Sequence, residues 1–176
     1  MKPISEMTQG ELAAFIDTHL RDKGIQFILS GGACVAIYSK HQYVSKDLDF
    51  IAQFSFDQKK IESAMKEIGF IKTGRYYSHP NTPYYIDFIS GPPSVGRETI
   101  LKVNELSFKT GTLRILSPTD AVKDRLAAFY HWGDRQSLNQ AILVAVSNKI
   151  DLKKVKEWSL REGKKEKFDE FKRRLE

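Results

Sequence analysis

Ile28-Leu29-Ser30-Gly31-Gly32, followed after a short interval by Ser45-Lys46-Asp47-Leu48-Asp49-Phe50-Ile51, is the part of this chain whose reading decides the fold. In the first segment an apolar run stops abruptly on two glycines, as a short buried strand does when it enters a turn. In the second, two aspartates alternate with apolar residues. Successive side chains on a strand point to opposite faces, so Asp47 and Asp49 share one face while Leu48 and Phe50 turn to the core. Two carboxylates this close repel each other and raise each other's pKa unless something compensates. A hard cation such as Mg2+ compensates through oxygen ligands. Asp87, between Ile86 and Phe88 in the apolar run Tyr84-Tyr85-Ile86-Asp87-Phe88-Ile89, offers a third carboxylate. Were its strand to lie beside the first, three carboxylates would converge, and such a group can hold two cations about 4 Å apart.

Gly31 and Gly32 fit the other half of such a site. They follow a strand and precede Ala33-Cys34-Val35-Ala36-Ile37-Tyr38, a short helix candidate. Backbone N–H groups and the helix dipole at that junction favour anionic phosphate, and the missing side chains let phosphate approach. Each element also has a plainer reading. An Asp-x-Asp pair often caps a turn or faces solvent, a Gly-Gly pair is often only a turn, and Asp87 can be the satisfied partner of a buried arginine. The information lies in the order: strand, Gly-Gly, short helix, Asp-x-Asp on a strand, then an acid on a later strand.

Outward from this segment, Thr8-Gln9-Gly10-Glu11 is a capping box, followed by Leu12, Ile16 and Leu20 at helical spacing and ended by Gly24. Ser55-Phe56-Asp57-Gln58 reads as a second capping box, opening a helix to Ile68 that stops at Gly69. Residues 70–77 read as extended. Residues 106–109 and 113–116 form a hairpin around Thr110-Gly111. Ser117-Pro118-Thr119-Asp120 then opens a helix with proline at its first position and an acid in its first turn. The remainder is helical, with breaks near Gly133, Asn148 and Gly163. The outline is α/β (α+β): a catalytic-type half at 1–116 and a helical region at 117–176.

Composition narrows the class. The 176 residues are 41% hydrophobic and 28% charged, which excludes disordered and collagen-like chains. Cys34 is the only cysteine, so no internal disulfide framework exists. No apolar run approaches the ~18 residues of a membrane helix. The start, MKPISEMTQGEL, lacks the apolar stretch of a signal peptide. The expectation is a cytoplasmic protein without a membrane partner. The formal net charge is +6, and residues 149–176 hold 11 basic against 7 acidic residues. A basic surface concentrates polyanions such as nucleotides or RNA. Interleaved glutamates equally describe a solvated helical face of mixed sign.

The segment order and wording resemble the polymerase-beta-like nucleotidyltransferase superfamily. Its signature is a Gly-Gly or Gly-Ser turn, an Asp-x-Asp some residues on, and a third acid on a later strand. Leu29-Ser30-Gly31-Gly32 with Ser45-Lys46-Asp47-Leu48-Asp49-Phe50 looks most like the abortive-infection type nucleotidyltransferase toxins, as does the start of the tail, Ile115-Leu116-Ser117-Pro118-Thr119-Asp120. The resemblance spans 27–145. It implies a nucleotidyltransferase fold, a mixed sheet flanked by helices with a C-terminal helical tail packed on it. By it, Asp47 and Asp49 are metal ligands, and Asp87 is a third ligand or the base toward the acceptor hydroxyl. Ser30, Gly31 and Gly32 contact nucleotide phosphates. Lys123, Arg125 and Arg135 are phosphate candidates, because the family's tail folds back over the site. The implied cofactor is Mg2+, two ions, with Mn2+ as a substitute. The implied substrates are an NTP and an acceptor hydroxyl on an RNA end, a protein or a small molecule, and an antitoxin-like protein is a candidate partner. Where those toxins carry a lysine in the first tail helix, this chain offers Arg125, which clamps phosphate but does not serve as a tunable base.

Three further readings stand beside this. The chain can be a non-catalytic binding or regulatory module that keeps the fold, such as one component of a toxin–antitoxin pair. It can be a basic RNA-binding domain without nucleotide chemistry. Arg75, His79 and Lys102 lie near the carboxylates in sequence and are candidates for phosphate or acceptor contact. Tyr76, Tyr77, Tyr84 and Tyr85 can stack a base but more often fill a core. Trp132, Trp158 and Cys34 are read as packing residues.

Overall fold

The computed structural model describes residues 2–176. After a single 3-10 turn at Ile4–Glu6, helix α1 (Gln9–Asp22) leads to β1 (Phe27–Ser30), α2 (Gly31–Tyr38) and β2 (Asp47–Ala52). Helix α3 (Gln58–Glu67), β3 (Ile71–Thr73), β4 (Tyr76–Ser78) and β5 (Tyr85–Ile89) follow. A miniature hairpin, β6 (Ser94–Val95) and β7 (Glu98–Thr99), precedes the hairpin β8 (Asn104–Phe108) and β9 (Gly111–Ile115). Four helices complete the chain: α4 (Pro118–Trp132), α5 (Arg135–Ser147), α6 (Leu152–Arg161) and α7 (Lys165–Arg173).

Seven strands form one mixed sheet in the order β3-β4-β5-β2-β1-β9-β8. The β1–β2 pair is antiparallel, whereas β2–β5 and β1–β9 are parallel. The two glycine-and-aspartate strands therefore lie side by side at the centre, where alternation buries Leu48, Phe50 and Ala52 and leaves Asp47 and Asp49 on the other face.

Local chemistry sets the element ends. Thr8 and Glu11 satisfy each other's backbone N–H groups at the start of α1. Helix α4 begins with Ser117 accepting from Asp120 N and proline in the first turn, and Gly133 ends it in the left-handed region at φ 69°. The α3 start departs from expectation. Asp57, rather than Ser55, is the cap, its carboxylate accepting from Lys59 N at 2.8 Å, because an aspartate in extended conformation reaches the first free N–H groups directly. The β6–β7 hairpin has too few residues for any period to show in sequence. It is fastened to the tail instead: Trp158 Nε1 donates to Val95 O at 3.2 Å, and Arg97 N donates to Glu162 at 3.0 Å.

One contiguous hydrophobic cluster runs from Met7 to Phe171 through both the sheet and the tail helices. Within it Tyr130 stacks on Trp158, and both are buried. Helices α4 and α5 pack against α2, and Asn148 Nδ2 donates to Tyr38 O at 2.9 Å where α2 ends. A buried ion pair, Asp17 with Arg114, locks α1 to β9. No helix among the described residues is long and apolar enough to cross a membrane.

Candidate active site

The site is built on a row across the sheet. In register, Tyr76 on β4 pairs with Asp87 on β5, Asp87 with Asp49 on β2, and Asp49 with Ser30 on β1. Asp47 pairs one step along with Tyr85. Residues two apart on a strand share a face, so the three aspartates lie on one face of two neighbouring parallel strands. The strand adjacency on which the sequence reading made that convergence conditional is present, with Asp49 and Asp87 level on neighbouring strands.

The glycine turn closes against this row. Gly31 has φ +66°, and a methyl group built there would stand 2.3 Å from Asp49 Oδ2. Only glycine fits both the backbone and the carboxylate at that point. At Gly32 a methyl group would meet Ser45 Oγ at 2.9 Å and the Tyr43 ring at 3.3 Å. The start of α2, with its unpaired N–H groups, thus lies directly beside the carboxylates. Ser30 is buried, and its hydroxyl donates to Asp49 O at 3.2 Å. Its side chain tethers β1 to β2.

Burial and the charges of Asp87 and Asp47 push the Asp49 carboxyl up to about 6. Such a rise marks negative charge that the protein itself does not compensate. Arg125 and Asp124 on α4 also act on Asp49, the first lowering and the second raising its pKa. The Arg125 guanidinium is forked onto Asp124, at 3.0 Å from Nε and 2.6 Å from Nη2, and reaches Gln140 at 3.4 Å. It is held by Asp124 on α4 and Gln140 on α5. Arg75, at the β3–β4 turn, is ion-paired with Asp87, and its guanidinium lies 4.8 Å from the Tyr76 ring centroid.

The expected phosphate contact by Lys123 is corrected. Its side chain is 4% exposed, with the ammonium 2.6 Å from Glu98 and 3.5 Å from Asp120. A lysine buried against two carboxylates is committed to fastening β7 onto α4. It borders a cavity of about 540 Å³ with Ile100, Lys102, Asn104 and Lys154, and none of the three aspartates lines that cavity. Lys102 belongs there too. Arg135 turns to α7, 2.5 Å from Glu170, and lies over the Phe129 ring. His79 sits in its loop, 5.1 Å ring to ring from Phe70. Tyr77 is buried, as core aromatics are, whereas Tyr85 is exposed and makes an edge contact with Tyr76.

Four further residues carried no sequence signal. Buried Gln9 donates to Ser45 O at 2.9 Å and pins the loop entering β2. Lys40 and His41 in that loop adopt positive φ, 52° and 64°. Asp124 sits next to Arg125 in sequence, but only tertiary packing shows that its charge reaches Asp49.

Among the described residues no three His, Cys, Asp or Glu side chains are already drawn together as metal ligands. By donor chemistry alone the set suits a hard divalent ion. It is all carboxylate, lies on one face, and includes one member whose charge the protein leaves uncompensated.

The fold has counterparts among solved structures. An antigenic nucleotidyltransferase-like protein from Paracoccidioides brasiliensis is similar over 81% of this chain and 78% of its own, with a TM-score of 0.59 and 14% identity. The chain has the nucleotidyltransferase fold. Likeness extends to the tail of this nucleotidyltransferase-fold chain. ANT(2'')-Ia, solved with adenylyl-2''-tobramycin, covers 97% of it and is itself covered at 100%, with a TM-score of 0.52 and 12% identity. No protein-family model and no curated protein sequence matches the chain.

Proposed function

We propose that this chain is a metal-dependent nucleotidyltransferase, moving a nucleoside monophosphate from an NTP to an acceptor hydroxyl with release of pyrophosphate. The observation that carries the reading is the in-register pair Asp49–Asp87 on parallel central strands, with the Gly31 turn packed against Asp49.

Asp47, Asp49 and Asp87 would hold Mg2+, as one or two ions, or Mn2+. Bound there, divalent ions supply Lewis-acid neutralisation of the polyphosphate charge. The chain's own residues do the rest. Gly31 and Gly32 bring phosphate to the backbone N–H groups at the start of α2 without a side chain in the way. Arg125 ties α4 to α5 through Gln140 and, with Asp124, sets the field at Asp49. Asp87, the carboxylate farthest from the glycine turn in the row, accepts the proton of the acceptor hydroxyl. The acceptor oxygen bonds to the α-phosphorus as the bond to pyrophosphate breaks. Most of the rate comes from positioning and charge neutralisation.

The acceptor is an RNA end, a protein side chain or a small molecule. One observation favours the alternative of a fold-retaining binding module, with or without an antitoxin-like partner: Arg75 already neutralises Asp87. The two readings separate in one experiment. The protein is incubated with labelled NTPs, Mg2+ and cell lysate or RNA, alongside Asp49→Asn. Label transferred by the wild type and absent with Asp49→Asn is the expected result. Equal transfer by both proteins would falsify the assignment of these acids.

A further inference from the structure

Arg75 follows Gly74, which has φ +63°, at the tip of the β3–β4 hairpin. Its guanidinium lies over the Tyr76 ring and donates through Nη2 to Asp87 Oδ2. The two partners differ sharply in setting. The Asp87 side chain is 6% exposed and that of Arg75 is 68% exposed. Arginine can therefore leave for water by rotating its own side chain, with no change in the fold. Asp87 has no other side-chain hydrogen bond or ion pair among the described residues, and a buried carboxylate left without a cation is costly. Guanidinium and divalent ion draw on the same carboxylate oxygens, so occupancy by one disfavours the other. A guanidinium released beside the acids is itself an unpaired fork, matched to the oxygens of a phosphate.

We propose that Arg75 is a displaceable counter-ion of the acidic row: a positioning residue that yields Asp87 to a divalent ion and turns to the nucleotide's polyphosphate, so that metal and nucleotide each tighten the other's binding. The proposal rests on the nucleotidyltransferase reading above. It keeps Asp87 paired in the apo site and ties loading of the metal to arrival of the substrate anion, a reciprocal coupling between two ligands.

The test is Mn2+ binding to the full-length, nucleotide-free protein, read from the electron paramagnetic resonance signal of the unbound ion. Arg75→Gln should bind Mn2+ about two- to fivefold more tightly than wild type, the scale of an ion pair whose arginine is exposed. Lys46→Gln removes the same charge from the exposed residue before Asp47 without touching Asp87, and should change the affinity clearly less. With a non-hydrolysable NTP analogue present, the wild type's Mn2+ affinity should rise by a larger factor than that of Arg75→Gln. Equal effects of the two substitutions, or equal gains from the analogue, overturn the proposal. If Arg75→Gln changes nothing while Asp87→Asn weakens Mn2+ binding, the counter-ion role fails and the metal site stands. If neither wild type nor Arg75→Gln binds Mn2+, the counter-ion role falls together with the metal-dependent reading beneath it.

Discussion

Replacing Asp49 by asparagine should make the metal-free protein more stable at neutral pH even as it removes transfer activity. The two side chains have nearly the same shape, so the change is one of charge. In the folded protein burial, then the charges of Asp87 and Asp47, raise the Asp49 carboxyl from its ordinary 3.8 to about 6. In the unfolded chain it ionises at the ordinary value. Between those two pH values the native state binds more protons than the unfolded state, so stability falls as pH rises. Above about 6 the full penalty is present, and below about 4 it is gone. At about 1.4 kcal/mol per pH unit, the penalty is on the order of 1–3 kcal/mol after local relaxation. For a chain of this size that corresponds to a melting temperature roughly 2–10 °C higher for Asp49→Asn at pH 7.5. The assay is thermal unfolding followed by circular dichroism, with chelator present, from pH 4 to pH 8. The gap between the two proteins should narrow as pH falls and close near pH 4. A variant that melts at or below wild type at pH 7.5, or a gap indifferent to pH, refutes the account of an Asp49 charge left uncompensated by the protein. Added Mg2+ should raise the wild-type melting temperature more than that of Asp49→Asn, since the ion relieves the same repulsion.

Gly31→Ala forces a left-handed backbone on a residue with a Cβ and drives that atom into the Asp49 carboxylate; about 1–3 kcal/mol of stability, measured by urea unfolding, and most nucleotide transfer should be lost together. Lys123→Met should leave the KM for NTP unchanged in steady-state kinetics while lowering stability, because its ammonium serves Glu98 and Asp120; a several-fold rise in KM would restore it as a phosphate contact. Arg114→Met leaves buried Asp17 with Arg21 alone, 3.5 Å away, and chemical denaturation should show a loss of about 2–4 kcal/mol with no dependence on nucleotide.

What the chain's order of residues determined by itself was the local grammar. The Thr8–Glu11 box, the Ser117-Pro118 start, the Gly133 stop and the alternation of Asp47 and Asp49 with Leu48 and Phe50 depend on contacts within a few residues, so they are readable along the chain. The glycine turn and the acids were recognisable for the same reason, since each is a short motif on a single element. Spatial convergence was not readable in that way. That β5 lies parallel beside β2, bringing Asp87 level with Asp49, is settled by how the sheet covers its core, and nothing near Asp87 in sequence encodes it. Tertiary packing alone also sorted the cations. Lys123, Arg125 and Arg135 look alike as basic residues of two successive helices. Only in the folded chain does Glu98 bury the first, Asp124 and Gln140 hold the second, and Glu170 draw off the third. Conversely Arg75, from an unremarkable hairpin tip, arrives on Asp87. Charges pair with whichever opposite charge the fold brings within a few ångströms, and those partners lie from 12 to 35 residues away for Arg75 and Arg135, beyond the reach of any local pattern.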